Sequence, residues 1–309
     1  MVEALGLVVR GFGRWAVLAL ALVLILSTGA NAADAPRVHG QGRLFEILRA
    51  GVAPSHVFGT MHSSHPSVLK LSPAVTKALK ASRALLVEVV QNEALDSTLA
   101  REMVLNDGRT LPDVIGSELM AQVTEAAKDY GLPPENLKLS RPWAIMFMFS
   151  VPKSEMEREL SGQRELDEAL QNYATKQGKL VLGLEQAEEL TRFLSGLPDA
   201  DQAAMLRMTL LHHADIEQVF NDIREAYLKG NLDRLHAMSQ ELAAGEDTRL
   251  NDLFERELID ARNARMAERM MPEIRQGGAF VAVGALHLSG ERGILRLLED
   301  AGFRVRRVE

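Results

Sequence analysis

Short stretches with the apolar period of β-strands alternate along this chain with longer stretches spaced as helices. Arg43-Leu44-Phe45-Glu46-Ile47-Leu48-Arg49 alternates apolar and polar positions, the pattern of a half-buried strand. Gly51 and Pro54 mark a turn into a second strand from Ser55 to Gly59, so the two predict a hairpin. Ser72-Pro73 is a helix start, serine capping and proline in the first helical position, and the helix runs to about Ser82. Ala84 to Val90 is then a near-continuous apolar run broken by Glu88, as in an interior strand.

Residues 97–150 read as mostly helical, and Ile145-Met146-Phe147-Met148-Phe149 within them reads as core filling rather than a ligand groove. A helix from about Leu166 to Lys176 leads through Gly178 into the short strand Lys179 to Glu185. Residues 186–271 carry long amphipathic helices with breaks near Gly196, Gly230 and Gly245. Gly278 to His287 is strand-like and ends in Gly284-Ala285-Leu286-His287; a helix from about Glu291 to Glu299 and an alternating strand from Gly302 to Val308 close the pattern.

A partial repeat emerges: strand, Gly-x-x-His, helix and strand occur at residues 55–90 and again at 279–308. The expected fold is α+β (α/β-like), a small central β-sheet built from this duplicated unit and covered by a large helical insert, in one domain.

Composition narrows the function classes. A net charge of −7, with no block of Lys and Arg, argues against a general nucleic-acid binder. The chain has no cysteine, which excludes disulfides, thiolate ligands and a cysteine nucleophile. Arg10 and Arg14, the apolar run Trp15 to Leu26, and Ala30-x-Ala32 form a secretory signal over residues 1–32, expected to be cleaved after Ala32 and to send the protein to a bacterial periplasm. Contact with a membrane is expected only through this segment, if it stays uncleaved.

Two histidines lead the candidate chemistry. His62, in Gly59-Thr60-Met61-His62, and His287 each follow an apolar strand, and two such segments point to imidazoles converging on one site. Glycine at that position tolerates a sharp turn and a close backbone approach. Neutral imidazole is a common ligand for zinc and other divalent transition ions, and two histidines, a carboxylate and an open position make a catalytic metal site. Glu88 is the best carboxylate, because a charge within an apolar strand is costly unless paired or metal-bound. Glu185 ends its strand in the same way, with a helix-start role as an equal alternative. Asn263 mid-helix hints at a side-chain task, and Arg262 near a metal-bound water could stabilise an oxyanion; taken alone, the pair reads as a solvated helix face. His65 reads as a third ligand or as a group supporting the ligands, whereas His39, His56, His212, His213 and His236 read as bystanders. There is no His-Glu-x-x-His, Gly-x-Ser-x-Gly or Walker loop.

In this order, Gly59-Thr60-Met61-His62, the strand with Glu88, Gly178 to Glu185, Arg262-Asn263 and Val281 to Leu288 resemble the TraB/GumN family, as do Arg141-Pro142-Trp143 and Tyr227-Leu228-Lys229-Gly230-Asn231. The resemblance spans residues 40–308 and implies kinship with the Tiki metalloproteases, and more distantly with erythromycin-esterase-like and haem-binding ChaN-like proteins. It implies that His62 and His287 are active-site histidines, that Glu88 is an active-site carboxylate, and that Arg262 and Asn263 support them. The GumN name associates the family with polysaccharide gene clusters. The expected function is an exported hydrolase dependent on a divalent metal (Mn, Co or Zn), acting on a peptide or an envelope component, with the metal on His62, His287 and Glu88. The alternative is a non-catalytic protein that binds haem, a metal or an envelope polymer.

Overall fold

The computed structural model describes residues 36–243 and 248–309, so the segment read as a signal lies outside the described residues. Among those described, the chain divides into two compact units. Residues 91–162 and 187–220 make up one, which is helical. In it, the helix Asp199–His212 packs on Pro142–Phe149 and on Leu111–Asp129. All eight residues of Pro142–Phe149 are buried, so the Met/Phe stretch is core.

Residues 36–90, 163–186 and 221–309 form the other unit, which holds a six-stranded sheet. Its strands are β1 (Leu44–Leu48), β2 (Ser55–Thr60), β3 (Ala84–Val87), β4 (Leu180–Gly183), β5 (Ala279–Gly284) and β6 (Arg304–Arg307), in the order β4-β3-β5-β2-β1-β6. β1 and β2 make the expected antiparallel hairpin, and β6 pairs antiparallel with β1. β2, β5, β3 and β4 run parallel. β3 and β5 are buried at every position, which is why they read as continuous apolar runs; helices pack against a parallel sheet on both faces.

The connections place the site. From β2 the chain passes through the helix Pro73–Ala81 to β3, on one side of the β2/β5 pair; from β5 it passes through Ile294–Asp300 to β6, on the other. Parallel crossovers are right-handed, so these two helices fall on opposite faces of the sheet. Where neighbouring parallel strands send their connections in opposite directions, a crevice opens outside their carboxyl ends. His62 and His287 follow β2 and β5 at that point.

The glycines of the two Gly-x-x-His segments are needed for space, not for a left-handed backbone. Gly284 has φ −51°, and Gly59 is not among the positive-φ glycines. A Cβ on Gly59 would lie 2.7 Å from Leu288 Cδ1 and 3.1 Å from Ala285 Cα, inside the turn that follows β5. Overpacking of this kind costs about 1–3 kcal/mol. Gly59→Ala is therefore expected to lower the unfolding free energy read from urea titration by that amount, while Gly196→Ala, with nothing within 4 Å of the added carbon, leaves it unchanged or slightly raised.

Candidate active site

Each of the four parallel strands delivers one chemical group to the same carboxyl edge. In spatial order these are Glu185 after β4, Glu88 after β3, His287 after β5 and His62 after β2. All four are buried. Neighbouring strands lie about 4.8 Å apart, which keeps their charges in mutual range. The charge of His62 is felt at both Glu88 and His287.

Burial of Glu88 and Glu185 is made possible by one arginine. Arg262 donates through Nη2 to Glu88 Oε2 (2.6 Å) and lies 2.7 Å from Glu185 Oε2; its Nε donates to Glu185 Oε2 (2.8 Å). Arg265 Nη2 donates to Glu185 Oε1 (2.7 Å), and Arg269 Nη1 to the Leu184 carbonyl (2.8 Å). These arginines share one face of the helix Ala261–Gln276, at the i, i+3, i+7 spacing of a single stripe. A π-helical turn, Glu255–Asp260, precedes this helix and widens the rod just before Arg262. Burial alone would raise the pKa of Glu88, but the Arg262 cation beside it and the Gly284 N–H that donates to Oε1 (2.6 Å) outweigh it and hold the carboxyl at about 2. Glu88 is thus an anion throughout the ordinary pH range. Arg262 is itself buried, so the pair is not the solvated face that the helix pattern alone indicates.

His287 is held in one tautomer. Asn263 Nδ2 donates to the Arg292 carbonyl (3.0 Å), which can only accept, so Asn263 Oδ1 is the atom 2.7 Å from His287 Nδ1. Nδ1 must then carry the proton, and Nε2 keeps its lone pair, 3.8 Å from Glu88 Oε1. Burial, reinforced by the nearby Arg262 charge, lowers the pKa of His287 to about 4. The site therefore presents a neutral imidazole nitrogen of fixed direction.

His62 is in the opposite condition. Its Nδ1 lies 3.2 Å from Asp167 Oδ2 and 3.4 Å from Glu165 Oε2. Burial works against the imidazolium, but Asp167 and Glu165 outweigh it and raise the pKa well above 6.5. Glu165 is pushed upward too, chiefly by burial, despite the opposing pull of His62. Thr60 Oγ1, at the end of β2, donates to Asp167 Oδ1 (2.8 Å) and so turns Oδ2 toward the ring. His62 Nδ1 and Asp167 Oδ2 are buried and face one another without hydrogen-bond geometry. His62, Glu165 and Asp167 each offer one ligand atom, all within 4.8 Å of one another. A nitrogen and two carboxylate oxygens meeting in this way suit a divalent transition ion.

The residues expected from the sequence thus fall into two neighbouring groups. Glu88, Arg262, Asn263 and His287 are joined by direct contacts, and His62 joins Glu165 and Asp167. Glu185, left open by the sequence, belongs with Arg262. His65 turns Nδ1 to Ser67, accepting from its N–H (3.2 Å) and capping a single helical turn. Glu165 and Asp167 had no signal in the sequence beyond acidity at a helix start, which most helices share. The arginine stripe is visible as Arg262, Arg265 and Arg269 only once Glu185 is known to be buried.

The TraB/PrgY/gumN family model matches residues 44–307. The chain is 26% identical over 259 residues to the uncharacterized protein YbaP of Shigella flexneri, covering 82% of this chain and 90% of that protein; the YbaP of Escherichia coli K12 gives the same figures. It is also 24% identical over 301 residues to the metalloprotease TIKI2 of Danio rerio, covering 82% of this chain and 58% of TIKI2. No solved structure matches. With all but the edges of the described chain inside the family match, the protein belongs to the TraB/PrgY/gumN family.

Proposed function

We propose that the protein is an exported hydrolase that depends on a divalent metal and cleaves peptide or related acyl bonds. The observation that carries this reading is the meeting, on one sheet edge, of a three-ligand cradle and a neutral imidazole of fixed tautomer. His62, Glu165 and Asp167 would hold the ion. The set expected from sequence, His62, His287 and Glu88, shares only His62 with this cradle, because the oxygens of Glu88 face Arg262 and the Gly284 amide. The metalloprotease relative TIKI2 supports the reaction class. Export and a periplasmic location rest on the pattern of residues 1–32. The opposed crossovers from β2 and β5 support an origin of the sheet in two copies of one strand–Gly-x-x-His–helix–strand unit.

When bound, a divalent ion supplies Lewis acidity and a water of lowered pKa. The remaining chemistry belongs to the chain. His287 Nε2, unprotonated and aimed by Asn263, takes the proton of the attacking water. Glu88, 3.8 Å away, stabilises the imidazolium that forms, and His287 then returns the proton to the leaving group. Arg262 has its Nε and Nη2 committed to carboxylates, so it acts by keeping Glu88 ionised and in place rather than as an oxyanion donor. The two imidazoles thus divide the work, His62 set among carboxylates as a ligand and His287 kept neutral as the base.

Chelation of the purified protein is expected to abolish hydrolysis of a broad peptide mixture, and Mn, Co or Zn to restore it. His62→Ala and Asp167→Asn are expected to lose both metal and activity, whereas His287→Ala keeps the metal and loses on the order of 10²-fold or more in kcat. A protein that binds none of these ions, with His62→Ala as active as wild type, would refute the proposal. Because His62 carries a raised pKa, metal binding must displace its proton. Affinity is therefore expected to rise with pH, and calorimetry in buffers of different ionisation enthalpy to show proton release. The Glu88–Arg262 pair predicts acid sensitivity. A carboxyl held at about 2 against an ordinary 4.5 stabilises the fold fully above the ordinary value and loses that contribution as pH falls toward 2, about 3 kcal/mol in all. Urea midpoints of the metal-free protein should fall over that interval, and Glu88→Gln should flatten the dependence.

A further inference from the structure

Two buried side chains on consecutive helices reach one carbonyl in each Gly-x-x-His turn. Tyr227 lies near the end of the helix Ile216–Leu228, and its hydroxyl donates to the Gly59 carbonyl (3.0 Å). His236, on Leu232–Ala243, hydrogen-bonds the Leu286 carbonyl, the residue before His287. His236 Nε2 has no hydrogen-bond partner, so the donor is Nδ1. Both residues are more than nine-tenths buried.

The Tyr227 contact is not incidental packing. In the β1/β2 ladder the Gly59 N–H donates to the Arg43 carbonyl, and the reciprocal bond should run from the Arg43 N–H to the Gly59 carbonyl. That N–H donates to the Glu309 carbonyl instead (2.8 Å), and the Tyr227 hydroxyl supplies the missing donor. The Arg43 guanidinium covers the Tyr227 ring at 5.0 Å. The link between the two helices is tied to the segment leading into β1. Gly42 N–H donates to the Gly230 carbonyl (2.7 Å), Asp233 N–H to the Gly40 carbonyl (3.0 Å), and Gln41 Nε2 to Asn231 Oδ1 (3.0 Å). Both helices are therefore referenced to the strand that pairs with β2. Downstream of Gly59, Thr60 orients Asp167 beneath His62; downstream of Leu286 stands His287 itself.

We propose that Tyr227 and His236 are positioning residues, each setting one active-site imidazole through a carbonyl of its own Gly-x-x-His turn, so that the two helices together fix how the imidazoles face each other. This deepens the hydrolase reading only in taking both imidazoles as working groups. Tyr227→Phe removes the donor and keeps the ring, so a residue that merely fills the core would leave the imidazoles unmoved.

The test is a long-range proton–nitrogen correlation on the full, metal-free chain labelled with ¹⁵N-histidine, its His62 and His287 signals assigned from His62→Gln and His287→Gln, with thermal midpoints as the check on folding. Tyr227→Phe is expected to shift the ring signals of His62 and leave those of His287 in place. His236→Phe is expected to move His287 from a pure Nδ1–H pattern to a tautomer mixture and leave His62 in place, and His236→Asn, which keeps a donor near Nδ1, to restore the wild-type pattern. Should Tyr227→Phe fail to fold, 3-fluorotyrosine incorporation strengthens the phenol as a donor and should move the His62 signals selectively. Equal movement of both imidazoles, movement of neither, or no rescue by asparagine would overturn the proposal. The readout needs no turnover and no metal, so failure of the hydrolase reading would leave it intact.

Discussion

The close parallel pairing of β2 with β5 is the constraint on which the rest depends. The two strands come from distant parts of the chain, and they approach closely enough that Gly59 has no room for a side chain against Ala285 and Leu288. Their carboxyl ends carry the two histidines, and their connections leave in opposite directions, which opens the crevice between them. Once β2 and β5 are set, β3 can only add beside β5. Glu88 then arrives next to His287, where the Gly284 amide is ready to receive one of its oxygens.

Electrostatics fixes what that geometry leaves free. Two carboxylates buried on adjacent strand ends would repel each other and resist ionisation, and a single guanidinium bridges them. Arg262 reaches that position from a helix whose turns are widened just before it, and Arg265 completes the coordination of Glu185 from the exposed side. Burial, with the same cation beside it, depresses the basicity of His287. At the other end of the edge, Asp167 and Glu165 raise that of His62. One short row of side chains thus holds a strong and a weak base under a shared roof.

Much of this was legible in the sequence, for a physical reason. Interior parallel strands are almost uniformly apolar, so Glu88, and histidines spaced at a fixed distance from a glycine, stand out against the run. The hairpin, the interior strands and the last strand were readable from the same periodicities. The cradle was not readable, because Glu165 and Asp167 sit where acids are ordinary, at the start of a helix, and only the fold brings that start to the end of β2. Arg262-Asn263 misleads in the opposite way. Polar residues crowd the helix Ala261–Gln276, which therefore looks solvated, yet one polar stripe faces buried carboxylates and an imidazole rather than water. Tyr227 and His236 likewise gain meaning only from the carbonyls they meet.

The central strand of the sheet, β5, is supplied by residues 279–284, after four of the other five have already been made. Until those residues exist, β2 and β3 have an empty lane between them, roughly 10 Å across, two strand spacings wide. No other strand of the sheet fills that lane, since β1 pairs with the far side of β2 and β4 with the far side of β3. The crevice, the oriented imidazole and the amide that holds Glu88 therefore all depend on one strand contributed from far along the chain. The strand that makes the sheet continuous and the strand that completes the reactive centre are, for this fold, the same one.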